Sequence, residues 1–155
     1  MPKEIITRKA SDNPYFHKDF HIALNYGINY LHDNFGEEAV REYLAQFAAS
    51  YYSLLKKFLL ENGLVTIKEH YEKTYKIEDA EFKINYSPDE MNIHLFASPA
   101  VMHIKGGGHP VSPVFHETVL TVNKEICRNT PFECEMMAYN DENGAYKLRF
   151  YRRGR

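Results

Sequence analysis

Tryptophan is missing from the 155 residues, and cysteine occurs only twice, at Cys127 and Cys134. The two thiols are separated by Arg-Asn-Thr-Pro-Phe-Glu. That spacing excludes a zinc knuckle or a CxxC redox motif and fits free, reduced cysteines of a cytoplasmic protein. Long apolar runs are missing too. No segment approaches the roughly 18 apolar residues of a membrane span, and Met1-Pro-Lys-Glu-Ile-Ile is no signal peptide. The expectation is a cytoplasmic chain with no membrane partner. Excess charge of either sign is also lacking: the net value is -2 at pH 7, which gives no electrostatic reason for nucleic acid as a partner. A small-molecule ligand fits this composition better. Repeats, low-complexity runs and linkers do not occur.

Aromatic residues are abundant instead, 14% of the chain with twelve tyrosines. Rings with hydroxyl handles suit a ligand pocket as well as an ordinary core. The hydrophobic fraction of 44% and the chain length predict one core. Residues 1–12 read as a polar arm and residues 13–155 as a single α+β domain.

Asn13-Pro14 supplies a capping side chain and a proline for a first helix. His17, Phe20, His21, Leu24, Ile28 and Leu31 then form its inward stripe, with Lys18, Asn25 and Asp33 on the outer side. A second helix is predicted over 37–61, with Val40, Tyr43, Leu44, Phe47, Tyr51, Leu54, Leu55 and Phe58 as its apolar face. Part of that face, Tyr43, Phe47, Tyr51 and Phe58, serves a homodimer as readily as a core. A third helix follows over 64–76, with Leu64, Ile67, Tyr71 and Tyr75 inward.

At Ala80 the period changes to two, and residues 82–97 read as a β-hairpin around Ser87-Pro-Asp-Glu90. Ser98-Pro99 starts a short helical turn that the glycines stop. Ser112-Pro113 starts a fourth helix reaching Arg128. Strands over 132–139 and 145–152, joined by Asn140-Asp-Glu-Asn-Gly144, close the chain. The expected fold is a four-stranded antiparallel sheet of two hairpins, with about four helices packed mainly on one face, three of them N-terminal.

Chemistry concentrates in residues 98–117, which hold His103, His109 and His116 around Gly106-Gly-Gly108. Glycines allow close backbone approach to a ligand, which makes Ser98, Gly107, Gly108 and His109 candidates for substrate binding. The run lacks the GK[ST] ending, so a P-loop is excluded. His17 and His21 stand one helical turn apart, the spacing of two metal ligands from one helix or of two packed histidines. With His116 they would complete a site for Zn²⁺ or Fe²⁺ that activates water. His103, His116 and Glu117 are the candidate acid and base groups, the last two at a helix start that favours an anion. Complementing the helix dipole is the alternative reading of Glu117. All of this requires the imidazoles to converge in one cavity roofed by the glycines.

Tyr15-Phe-His-Lys-Asp-Phe-His21, Gly36-Glu-Glu-Ala-Val-Arg-Glu-Tyr-Leu44, Pro99-Ala-Val-Met-His103, Phe115-His-Glu-Thr118 and Val122-Asn-Lys-Glu-Ile-Cys127 together resemble the L-2-amino-thiazoline-4-carboxylic acid hydrolase-like family of small bacterial proteins. The resemblance implies hydrolytic C-N or C-S cleavage of a small carboxylate-bearing compound. One departure matters: Ser98 stands where members carry cysteine. If a thiol does the family's chemistry, this chain has lost it and a binding or sensing role gains; if histidines or a metal do it, the change is harmless.

Overall fold

The computed structural model describes residues 18–154. Its elements are α1 (Asp19–Phe35), α2 (Glu37–Tyr51), α3 (Ser53–Asn62), α4 (Val65–Ile77), β1 (Phe82–Tyr86), β2 (Glu90–Leu95), α5 (Pro99–Gly106), α6 (Glu117–Cys127), β3 (Phe132–Tyr139) and β4 (Tyr146–Arg152). The α+β class holds, with a four-stranded antiparallel sheet in the order β1-β2-β4-β3. The two hairpins meet through their second strands: Ile93 lies opposite Leu148 and Met91 opposite Phe150.

Alternation sets the faces of the sheet. Met91, Ile93, Leu95, Tyr146, Leu148 and Phe150 are buried on the inner face, where each apolar side chain contributes about 1.5–3 kcal/mol of transfer free energy. On the outer face Arg149 bonds Glu90 at 2.6 Å and Glu135 at 2.8 Å, and its guanidinium lies 4.3 Å from the Tyr151 ring. The helices supply the rest of the core through Ile28, Val40, Leu44, Leu59, Ile67 and Ile126. No helix among the described residues is long and apolar enough to cross a membrane.

Among the described residues six helices stand in place of the expected four or so, and four of them precede the sheet. The predicted second helix is broken at Tyr52, whose backbone at φ -101°, ψ 20° leaves the helical well and separates α2 from α3. Its buried residues are Val40, Leu44, Ala48 and Leu59, while Tyr43 (46% exposed), Tyr51 (69%), Leu54 (59%) and Phe58 (42%) form an adjacent outer stripe. Two neighbouring apolar rows on one helix give the same periodicity, so spacing alone does not tell the inner row from the outer. The short helix after Ser98 is a full α5, capped by Ser98 Oγ accepting from the Val101 amide at 3.3 Å. The predicted fourth helix starts late. Residues 113–116 form tight turns, with Phe115 N bonding Ser112 O and Glu117 N bonding Val114 O, and α6 begins only at Glu117.

In α1 two assignments change. Phe20 is 47% exposed, whereas Asn25, expected on the outer side, is 1% exposed. Asn25 Nδ2 donates to Pro110 O and its Oδ1 accepts from Ser112 N, both at 2.8 Å. One carboxamide thus satisfies a donor and an acceptor of the loop after α5. The predicted helix start at Asn13-Pro14, and His17 with it, lies outside the described residues.

A candidate ligand-binding cavity

Helix α4 presents Tyr71, Tyr75 and Glu78 at four- and three-residue steps, so all three fall on one face. That face looks across a cavity of about 190 Å³ toward α6, with α1, α2, the start of α5 and the inner face of the sheet as its other walls. Tyr71 Oη donates to Asn123 Oδ1 of α6 at 2.9 Å, and Asn123 Nδ2 donates to Val119 O at 2.8 Å. The Tyr75 and Tyr146 hydroxyls share a hydrogen bond between α4 and β4. Rings continue along the wall: Phe47 meets Tyr52 edge-on at 6.2 Å, Tyr52 meets His70 at 5.8 Å, and His70 meets Tyr71 at 5.4 Å.

Burial governs the charge inside. It pushes the Tyr52, Tyr71, Tyr75 and Tyr146 hydroxyls above the ordinary phenol range, so all four stay neutral at pH 7. Burial, then the charge of His103, lowers His21 to about 4. Burial, then the charge of Lys73, lowers His70 as well. Both imidazoles are therefore neutral at pH 7. Glu78 is raised by burial to about 6, so its carboxylate carries the one formal charge among the described residues of the lining.

Of the residues singled out in the sequence, His21 and Ser98 line this cavity. His103 lies close enough to His21 to affect its charge, but its Nε2 is 3.1 Å from Asp19 Oδ1 and it is not part of the wall. His109 braces the loop against α1, with Nδ1 2.7 Å from the Tyr26 hydroxyl. Gly107 and Gly108 do not roof the cavity; they end α5, Gly108 in a left-handed conformation at φ +78°. His116 is 3.4 Å from Glu117 Oε1 and packs its ring against Tyr139 at 5.7 Å. Glu117 is buried on the α2 side of α6, accepting from Thr121 Oγ1 at 2.5 Å and from Arg41 Nη1 at 3.5 Å.

The expected convergence of imidazoles is therefore not seen among the described residues. His21 faces the cavity while His116 is held with Glu117 outside it, and no three His, Cys, Asp or Glu side chains among the described residues group around a common point. Of the proposed Zn²⁺ or Fe²⁺ ligands, His21 lines the cavity and His116 does not, while His17 lies outside the described residues. The thiols are unreactive structural groups: burial raises Cys127 to about 12 and Cys134 higher still.

The wall itself was missed. Tyr71 and Tyr75 read as core from their spacing, and Glu78 is the next step of the same stripe; a carboxylate on an otherwise apolar helical row was the available signal. His70, Tyr52, Asn123 and Tyr146 carried none. Comparison with protein-family models and with curated proteins gives no match for this chain.

Proposed function

We propose that the protein is a small-molecule-binding domain whose ligand occupies the cavity between α4 and α6. The observation that carries this is a carbon-walled space of about 190 Å³ ringed by tyrosine hydroxyls and a half-buried carboxylate. A space whose polar groups converge among apolar walls suits a small ligand, and its volume lies below the roughly 300–1,000 Å³ of drug-sized pockets. Ligand-detected NMR against a fragment library tests it. Hits should shift resonances of Tyr71, Asn123 and Tyr146 and be lost when Val122→Trp fills the space; a folded protein with no such hits overturns the reading.

Hydrolysis is a second reading, favoured by one observation: Glu78, held near 6, shares the cavity with the neutral imidazoles of His21 and His70. A carboxylate in that range suits a general base for water. The C-N or C-S bond of a thiazoline carboxylate is the substrate that the family resemblance suggests. Turnover of that compound, abolished in Glu78→Gln, supports catalysis; binding without turnover supports the first reading. Metal analysis of untagged protein separately tests a metal-assisted version.

The exposed stripe of Tyr43, Tyr51, Leu54 and Phe58 supports a homodimer through α2 and α3. Sedimentation equilibrium should then give two protomers, and one for Tyr51→Lys combined with Leu54→Lys.

A further inference from the structure

Charge discriminates among the ligands that the cavity could take. Its lining includes Glu78 but neither lysine nor arginine among the described residues, and its two imidazoles are neutral at pH 7 for the reasons given above. Among the described residues the Glu78 carboxyl has burial as the sole cause of its shift; no cation balances it. Glu78 is also the C-cap of α4, so the negative end of that helix dipole adds to the carboxylate there. The opposing positive end, at α5, is largely occupied. Pro99 has no N-H, Ser98 Oγ takes the Val101 amide, and Ser98 O takes the Met102 amide. An anion would meet few donors in this space.

The remaining wall is aromatic. Phe47, Tyr52, Tyr71, Tyr75, Phe115 and Tyr146 all line the cavity, and the negative faces of such rings attract a cation, most strongly when it is desolvated. We propose that the cavity takes a small organic cation, an alkylammonium or quaternary ammonium head group, with the rings as its cage and Glu78 as its counter-ion. This rests on the small-molecule reading and names its ligand class. It also gives the half-buried carboxylate a role: the ligand supplies the balancing charge that the described residues do not.

Uptake is then linked to protons. The groups facing Glu78 are Tyr75 on its own helix, Tyr146 of β4 and Tyr52 at the α2–α3 break, each of which feels its charge. All three stay neutral through the range in which Glu78 titrates. A cation therefore competes with the Glu78 proton, and affinity falls as pH drops through about 6; protonation of His21 and His70, both in the lining and both held below the ordinary imidazole value by burial, lowers it further in acid.

The test uses three probes of one shape: choline, its neutral isostere 3,3-dimethylbutan-1-ol, and the anion 3,3-dimethylbutanoate. Calorimetry on the full chain should show choline binding at least about tenfold tighter than the alcohol, a margin equal to 1.4 kcal/mol, with no heat from the anion. Glu78→Gln should bring choline down to the affinity of the alcohol, with circular dichroism confirming the fold. Equal or tighter binding of the alcohol or the anion overturns the cation assignment while leaving the cavity as a ligand site. Failure of all three probes, together with an empty fragment screen, overturns the ligand-site reading itself.

Discussion

Asn25 and Glu78 are polar residues turned inward, with opposite effects on stability. Asn25 closes two hydrogen bonds to the loop after α5. Asn25→Leu would leave Ser112 N and Pro110 O without that partner, and a buried unsatisfied group costs about 1–3 kcal/mol. The expected outcome is a loss of about 3 kcal/mol, read as a lower urea midpoint at unchanged slope. Glu78 works the other way. Its folded value of about 6 exceeds the ordinary carboxyl value of 4.5, so the native state holds the proton more tightly. Stability from this group is complete below 4.5 and is lost as pH rises through about 6. At neutral pH the ionised carboxyl costs up to about 2 kcal/mol, less whatever solvent reaching it recovers. Glu78→Gln should therefore raise the melting temperature at pH 7 and have little effect near pH 4. His21, lowered to about 4, and His70, also lowered by burial, have the reverse dependence, losing stability as pH falls below the ordinary imidazole value of 6.5. In Glu78→Gln that acid-side loss should remain. Asn25 was not legible in the sequence, because periodicity sorts residues by polarity and it breaks the sorting; Glu78 showed only as a carboxylate continuing an apolar row.

Elements were legible where turn chemistry or strict alternation fixed them. The strands, the Ser98 cap and the glycine after Asn143 all follow from local rules, and the structure has them. The β3–β4 loop also makes a contact that local rules do not contain. Gly144 lies at φ +70°, and a Cβ there would sit 2.5 Å from Val101 Cγ2 and 2.6 Å from Ser98 Cβ. Ser98 N donates to Asn143 O at 2.8 Å in the same contact. Gly144→Ala should push the loop off α5, lower stability by about 2 kcal/mol or more, and weaken ligand binding through Ser98. Thermal melts and the choline titration check both effects. A second element-level prediction concerns α4. Tyr71→Phe leaves Asn123 Oδ1 without its 2.9 Å donor, which should cost about 1 kcal/mol and alter NMR resonances along α6.

The whole molecule is where reading the sequence failed most instructively. Histidines close together between residues 98 and 117 suggested one site, yet they end in three environments: with Asp19, with Tyr26, and with Glu117 and Tyr139. Sequence proximity could not show that α5, its loop and the turn before α6 point their side chains in different directions. The cavity instead draws on elements from α1 to β4, a juxtaposition that only long-range packing creates. Tyr146 belongs to the last strand, and its hydroxyl partners Tyr75 of α4. Because synthesis delivers the N-terminal helices first, a chain still emerging from the ribosome has every helix before it has a complete binding wall. A ligand of the proposed cavity would find its wall complete only after the β3–β4 hairpin docks, too late to template folding of the helices.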